Sequence, residues 1–186
     1  MFKKITLIIL TGISNLTDYN VDNVKATVCR TCQNCSMVKA LQLHGHYFRK
    51  ANRSAEPGNS LNLVKVLRLI CKFCRKTCRA LPECIPPLRW YLWQVQQAVI
   101  QDCILGESLY SISQKFKVAR STVRRWFQHL QNKFPIHADV LRNMPGNIRE
   151  HLVHYFDVKS FWQSCFSKIS LARAMLLCHR ANINIP

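Results

Sequence analysis

Acidic residues are scarce in this chain of 186 residues, which has 9 Asp and Glu against 27 Lys and Arg and a net charge of +18. After residue 133 three acids remain, close together in a segment of helical pattern: Asp139, Glu150 and Asp157. Phosphoryl transfer with two metal ions needs carboxylates on a rigid scaffold, and this short helical segment offers no sheet for one. The scarcity of acids therefore argues against a catalytic carboxylate set.

Other catalytic signatures are also missing. The sequence has neither a GxxxxGK phosphate-binding loop nor a GxSxG nucleophile elbow. Cys165 and Cys178, the second beside His179, are conceivable nucleophiles, but Cys165 belongs to the apolar stripe of a predicted helix, which favours core packing. We therefore predict that the protein is not an enzyme and has no small-molecule substrate.

Long apolar runs are absent as well, and the one near the N terminus is too short to span a bilayer. Residues 1–13, MFKKITLIILTGI, resemble a signal peptide, but polar and bulky residues follow where a cleavage site would need small ones. We interpret residues 1–28 as a short strand or a tail outside the fold. No membrane partner is predicted, and the expected location is the cytoplasm.

The positive charge is concentrated in the middle of the chain. Residues 64–133 contain thirteen Lys or Arg and three acids, a net charge of +10. Such a concentration suits a polyanionic partner. Composition alone leaves two alternatives, a merely basic solvated surface and an anionic membrane surface.

Cysteines are abundant: the chain has ten, and seven of them lie in the segment from Cys29 to Cys84. Disulfides would be expected in a small secreted chain, but CxxC pairs favour metal binding in a reducing cytosol. Two such pairs supply four candidate ligands: Cys32, Cys35, Cys71 and Cys74. Because four thiolates fill a tetrahedral coordination sphere, we expect a structural Zn²⁺.

The ligand set has alternatives. Cys29-x2-Cys32 has the same spacing as Cys32-x2-Cys35, and we prefer the second pair because a predicted strand follows it directly. Cys78 and Cys84 are spare thiols that could replace a ligand. Reduced cysteines packed as small hydrophobic residues are the other interpretation.

The region between the cysteine pairs predicts a hairpin. Residues 41–49 have the composition of a strand, residues 52–60 are rich in turn formers, and residues 61–70 alternate like a second strand. One face of that second strand is predicted to carry Leu61, Leu63, Lys65, Leu67 and Leu69. Because each cysteine pair adjoins a strand, residues 29–90 are predicted to form a zinc ribbon.

From residue 91 the apolar pattern becomes helical. The first helix is predicted to end at Gly106, the second begins after the capping residue Ser108, and a third runs from about Arg120 to Gln131. Residues 91–133 are therefore predicted to form a helix-turn-helix domain.

The third helix and the turn before it carry the candidate DNA contacts: Lys117, Arg120, Ser121, Thr122, Arg124 and Arg125. The first residues of a recognition helix approach base edges, and flanking basic residues meet phosphates. Lys117 occupies a turn position often filled by glycine, where a left-handed backbone costs about 1 kcal/mol. A plain helical bundle with a basic solvated face is the alternative.

Residues 134–186 are predicted to be a helical tail, with one long helix from Ser160 to Cys178. Some of its apolar residues lie off the main stripe: Leu171, Met175 and Leu177. The tail therefore either packs on the three-helix unit or forms a homodimer, as is common in helix-turn-helix proteins.

Four segments stand in a specific order before the Ser108–Trp126 pattern: Cys32-Gln-Asn-Cys35, His44-Gly-His-Tyr-Phe-Arg49, Cys71-Lys-Phe-Cys74-Arg-Lys-Thr77 and Pro87-Leu-Arg-Trp-Tyr91. Together they resemble a zinc-ribbon plus helix-turn-helix family, similar to the DNA-binding N-terminal part of bacterial insertion-sequence transposases. The resemblance covers about residues 29–131. It implies duplex DNA as the partner and carries over no catalytic residue.

The sequence thus predicts an α+β fold, with a small β-hairpin zinc ribbon followed by a three-helix helix-turn-helix unit and a helical C-terminal tail. The predicted function is duplex DNA binding by a transposase-related protein, either stand-alone or a remnant. Two alternatives are a regulatory module whose ribbon and tail helix dock a protein partner, and a truncated transposase.

Overall fold

The computed structural model describes residues 6–10, 19–20, 31–50, 63–86, 91–144 and 147–180. The chain divides into two compact units, residues 1–92 and residues 93–186. The first contains a β-sheet and the second contains helices, so the predicted α+β class is confirmed. The boundary predicted between residues 133 and 134 falls inside the helical unit, and residues 6–10 and 19–20 belong to the sheet unit.

The sheet has four strands in the order β1-β4-β3-β2. Their bounds are β1 Thr6–Leu10, β2 Leu41–Lys50, β3 Leu63–Cys71 and β4 Thr77–Pro82. Strands β2 and β3 pair antiparallel, which confirms the predicted hairpin, and β4 continues the antiparallel pairing. Strand β1 pairs parallel to β4, so the N-terminal segment contributes a strand to the sheet and is not a tail outside the fold.

Strand β3 is covered on both faces along most of its length. Val64 and Val66 lie in one apolar cluster, and Leu67 and Leu69 lie in another on the opposite face. Leu63, Lys65, Leu67 and Leu69 share one face of β3, as predicted, but the opposite face is apolar as well, because β3 is an inner strand between β2 and β4. On the predicted face, Leu63 is 60% exposed.

A β-bulge interrupts the pairing of β2 with β3. Leu43 pairs with Leu69 but His46 pairs with Leu67, so β2 has one extra residue at this point. Gly45, inside the bulge, has a φ of 103°, which favours glycine. The extra residue determines which face of the sheet the second half of β2 presents.

The helical unit contains seven helices within the described residues. They are α1 Trp93–Leu105, α2 Leu109–Phe116, α3 Arg120–Asn132, α4 Phe134–Arg142, α5 Asn147–Leu152, α6 Val158–Lys168 and α7 Leu171–Arg180. The three predicted helices of the helix-turn-helix region end within a few residues of their predicted bounds.

The prediction of one helix from Ser160 to Cys178 is wrong. Ile169 adopts an extended conformation with φ −138° and ψ 151°, which separates α6 from α7. The hydroxyl of Ser170 then accepts a hydrogen bond from the amide of Arg173 at 3.2 Å and caps α7. The apolar spacing continues across the break, and this is why periodicity alone did not detect it.

The tail helices complete the core of the helical unit. Leu171, Met175 and Leu177 are buried together with Trp93 and Ile100 of α1. The tail therefore packs on the three-helix unit, the first of the two predicted alternatives, and these side chains give no support to a dimer. Among the described residues, no helix combines the length and apolar character needed to cross a bilayer.

Some predicted features lie outside the described residues, and they are the turn at 52–60, Leu61, Cys29 and Pro87.

Candidate metal centre and helix-turn-helix surface

The two CxxC pairs adopt the same backbone turn. The amide of Ser36 donates to the Cys32 carbonyl at 2.7 Å, and the amide of Arg75 donates to the Cys71 carbonyl at 2.9 Å. In both turns the amide of the first cysteine donates to the carbonyl five residues later at 3.0 Å. Ser36 and Arg75 have φ values of 58° and 56°. This left-handed step after the second cysteine reverses the chain and directs both sulfurs of a pair to one point.

The two turns bring four sulfur atoms together. The Sγ atoms of Cys32, Cys35, Cys71 and Cys74 all lie within 4.8 Å of one another. The Sγ atom of Cys32 is 3.7 Å from that of Cys74, and the Sγ atom of Cys35 is 3.7 Å from that of Cys71. Each close contact joins one pair to the other, so the four thiols form a single cluster that could hold a metal ion.

The sheet fixes the distance between the two turns. Cys71 is the last residue of β3 and pairs with Leu41, the first residue of β2. The amide of Lys72 donates to the carbonyl of Ala40 at 2.9 Å, which ties the second turn to the residue before β2. Hydrogen bonds between and next to the strands therefore hold the two cysteine turns beside each other.

The thiols differ in acidity. The backbone of Lys76 stabilises the Cys74 thiolate and lowers the pKa of Cys74 to about 6. The backbone of Met37 also favours the Cys35 thiolate, but burial and the neighbouring sulfurs outweigh it and raise the pKa of Cys35 to about 11. One thiolate thus forms readily while another resists ionisation beside it. A divalent cation held by Cys32, Cys35, Cys71 and Cys74 would stabilise the thiolate form of these cysteines.

The spare cysteines do not join the cluster. Cys78 and Cys84 are buried in two separate apolar clusters of the sheet unit. Burial raises the pKa of Cys78 to about 11. Within the described ranges, the group formed by two CxxC pairs is the one set of three or more metal-ligating side chains, whereas the alternative ligand Cys29 lies outside those ranges.

Three of the groups considered as catalytic, Asp157, Cys165 and Cys178, occupy structural positions. The carboxylate of Asp157 accepts hydrogen bonds from the amides of Lys159 and Ser160 at 3.0 Å and caps α6. The Ser160 hydroxyl, together with these amides, lowers the pKa of Asp157. Cys165 and Cys178 are buried in the helical core, and burial raises the pKa of Cys165 to about 12.

Helix α2, which a short turn joins to α3, has a specific hydrogen bond at each of its ends. Ser108 caps α2, because its hydroxyl accepts the amide hydrogen of Ser111 at 3.1 Å. Lys117 ends α2 in the left-handed conformation, with φ 52° and ψ 40°, and its N–H donates to the carbonyl of Ser113. The turn position at which glycine is often found is thus left-handed here, as the sequence indicated.

The predicted contact residues lie on the outer side of α3 and of the turn. All but one are exposed: Lys117, Arg120, Ser121, Arg124 and Arg125 are exposed, and Thr122 is half-buried. The opposite side of α3 is buried through Val123, Trp126 and Leu130. The helix therefore directs its positive charges away from the apolar core.

The sequence did not predict a partly buried ion pair between α1 and α2. The Lys115 ammonium lies 2.8 Å from the carboxylate of Asp102, whose side chain is 12% exposed. This hydrogen bond raises the pKa of Lys115. The pair joins α1 to α2. The charge of Lys115 is therefore paired with Asp102, and Lys115 is not counted among the candidate DNA contacts.

The left-handed backbone at Lys117 can be tested with two variants that remove the same charge but differ in their free energy of unfolding. Compared with Lys117→Ala, the Lys117→Gly variant is expected to raise the free energy of unfolding by about 1 kcal/mol, because glycine adopts the left-handed conformation without a Cβ clash. Both variants remove the same charge. Urea denaturation measures the difference, and equal stability of the two variants would contradict a left-handed Lys117.

The fold and the cysteine cluster define an α+β protein in which a sheet with two cysteine turns is joined in sequence to a helix-turn-helix. More particularly, the chain belongs to the family described as Domain of unknown function (DUF6431), whose model matches residues 29–126. No curated protein and no solved structure matches the chain. The matched span includes both cysteine pairs and ends at Trp126 in α3.

Proposed function

We propose that the protein binds duplex DNA through α3 and that a structural Zn²⁺ stabilises its cysteine ribbon. The observation that carries the proposal is the exposed basic side of α3, which lies opposite the buried Val123 and Trp126. Exposed cations on the outer face of the second helix of a helix-turn-helix are in position for the major groove.

Electrostatics at the start of α3 also favour an anionic partner. The first turn of α3 contains no acidic residue, and the N-terminal end of a helix carries a partial positive charge that attracts phosphate. Arg120, Arg124 and Arg125 add full charges at and near this end. Arginine forms two parallel hydrogen bonds with phosphate or with the guanine edge, so these residues suit both backbone and base contacts.

The cysteine geometry fits zinc. Tetrahedral zinc with bonds of about 2.3 Å places its sulfur ligands about 3.8 Å apart, and two sulfur pairs of the cluster are 3.7 Å apart. Cys32, Cys35, Cys71 and Cys74 would hold the ion. When bound, Zn²⁺ supplies folding free energy and no catalytic water position, because all four positions are taken by sulfur.

The extent of the family supports a joint role for the two parts of the chain. Its model spans the cysteine pairs and helices α1 and α2, and continues into α3. In this proposal the ribbon and the helix-turn-helix form one DNA-binding protein, related to transposases, without enzymatic activity of its own. A DNA partner places the protein with the nucleoid in the cytoplasm, and a homodimer would double the number of recognition helices on one site.

The alternative function, a protein-interaction module, needs two docking surfaces, and one of them is buried in the chain's own core. That hypothesis assigned docking to the ribbon and the tail helix, but Leu171, Met175 and Leu177 of α7 are buried within the chain's own core. The DNA-binding proposal depends on no side chain of α7.

Salt dependence of DNA binding tests the proposed function. Labelled duplex DNA titrated with the zinc-loaded protein is expected to show an affinity that falls as salt rises. Four exposed cations around α3 predict a slope of log K against log salt of about −3 to −4, since each neutralised phosphate contributes about −0.9. Absence of binding at about 50 mM salt, where such contacts are strong, would refute the proposal.

A further inference from the structure

Two arginines face each other on adjacent strands of the sheet. Arg68 of β3 is the direct partner of Arg79 of β4 in the antiparallel register. Directly opposite residues have Cβ atoms about 5 Å apart and point to the same face. Arg68 is exposed and Arg79 is half-buried, so two positive charges lie next to each other at the surface.

The face that carries this pair is divided into two parts. Val64 and Val66 of β3 lie on the same face and are buried with Leu81 and Ile85. Two residues further along β3, where Arg68 follows Val66, that apolar cover ends. The arginines thus lie beside the part of this face that is covered by apolar side chains.

Tyr47 positions one of the guanidinium groups. The β2 bulge places Tyr47 opposite Val66, on the same face of the sheet as Arg68 and Arg79. The Arg79 guanidinium lies over the Tyr47 ring at 5.5 Å from its centroid, an arrangement that restrains the side chain. We call Arg68, Arg79 and Tyr47 the arginine face.

A third positive charge lies nearby. Arg49 of β2 donates a hydrogen bond to the carbonyl of Pro86 at 3.4 Å. Burial lowers the pKa of Arg49, Tyr47 opposes this effect, and the charge of Arg79 adds to it. Arg49 therefore experiences the field of the arginine face at close range.

No carboxylate in the described part of the sheet neutralises the two arginines. Like charges directly opposite each other destabilise a sheet. Within the described residues, no ion pair involves Arg68 or Arg79. The pair therefore reduces the stability of the free protein and becomes favourable when an anion binds between the two guanidinium groups. Phosphate suits them, because each guanidinium presents a planar fork of N–H donors that matches phosphate oxygens.

We propose that the arginine face binds a phosphate group and that this phosphate belongs to the DNA backbone, which makes the sheet a second DNA contact besides α3. The source of the phosphate rests on the proposed function, whereas the phosphate chemistry rests on the arginine face alone. The contact gives affinity without sequence preference, as expected for phosphate contacts.

The test compares Arg68→Gln, Arg79→Gln and the double variant with a matched control, Lys50→Gln/Lys65→Gln. The control removes two positive charges from β2 and β3 on the opposite face, since Lys50 pairs with Leu63 and Lys65 pairs with Phe48. Two probes are used on the zinc-loaded full chain. Inorganic pyrophosphate reports phosphate binding through the melting temperature, and labelled duplex DNA reports affinity and its salt slope.

The double variant is expected to lose the rise in melting temperature that pyrophosphate gives the wild-type protein. Its DNA affinity should fall roughly tenfold or more, as for a lost charged hydrogen bond, and its salt slope by about 1, as for one phosphate. Without any anion, at low salt, it should melt above the wild-type protein because the repulsion is gone. The control should keep the pyrophosphate effect.

The outcomes separate the two proposals. The inference would be overturned if the double variant kept the wild-type DNA affinity, salt slope and pyrophosphate effect. It would also be overturned if the double variant melted below the wild-type protein at low salt, because that result indicates a structural role for the two arginines. If the wild-type protein binds no DNA but pyrophosphate stabilises it through Arg68 and Arg79, the proposed function fails while the phosphate site stands. The single Arg68→Gln change, at an exposed position, keeps the test valid if the double variant does not fold.

Discussion

A Cys71→Ser variant is expected to lose its bound metal and the folded structure of the sheet unit. Cys71 is fully buried at the junction of β3 with the second cysteine turn, and serine does not supply a thiolate. Zinc binding in small domains contributes about 10–16 kcal/mol of apparent folding free energy, which is as large as the whole stability of a typical domain, about 5–15 kcal/mol. The helical signal in circular dichroism should persist, because residues 93–186 have a hydrophobic core of their own.

Metal analysis and thermal melting measure this result, and Cys78→Ala is the matched control. Cys78 is a buried cysteine of the same sheet that contributes no ligand to the cluster. The control should keep one zinc per chain and lose only the packing of a small side chain, on the order of 1 kcal/mol. A Cys71→Ser protein that retains stoichiometric zinc and the wild-type melting temperature would exclude the four-cysteine site.

An Arg124→Ala/Arg125→Ala variant is expected to bind duplex DNA about 100-fold or more weakly than the wild-type protein. A well-formed arginine contact to DNA contributes about 1–3 kcal/mol, so the loss of two contacts gives a change of this size. The melting temperature should stay near that of the wild-type protein, since both side chains are exposed. Fluorescence anisotropy at one fixed salt concentration measures the affinity.

Lys159→Ala/Lys168→Ala is the control for net charge. Both lysines are exposed on α6 of the same helical unit, so the control removes two charges without touching α3. It should weaken binding only slightly through the long-range field. Equal losses in the two double variants would mean that net charge and not α3 determines binding.

The sequence predicted best those features that are determined by neighbouring residues. The bounds of α2 and α3 follow from a capping serine at Ser108 and from the turn after Phe116, and both signals act within a few residues. The four cysteines were found for the same reason, because the two-residue gap of each pair dictates its turn. The preference for Cys32-x2-Cys35 over the pair with Cys29 depended on the strand predicted after it, and the structure has that strand, β2, beginning at Leu41.

Features that depend on distant residues were not predictable in the same way. Strand β4 has the sequence TCRALP, which is too short to show alternation, and it is recognisable only through its pairing with β3 and β1. The ion pair of Lys115 with Asp102 joins two helices across a turn, so no local sequence pattern predicts it. The break at Ile169 was missed because the apolar spacing of α6 and α7 remains in phase across it.

The parallel pairing of β1 with β4 has a consequence for the time course of folding. Thr6 pairs with Cys78, so during synthesis the ribosome must add the whole intervening segment before the first strand has a partner. Contacts between such distant residues form late, since closing a long loop comes before any gain from pairing. Until then the apolar sequence of β1 is open to chaperones and to aggregation, and its docking is expected to be the last event in the maturation of the sheet.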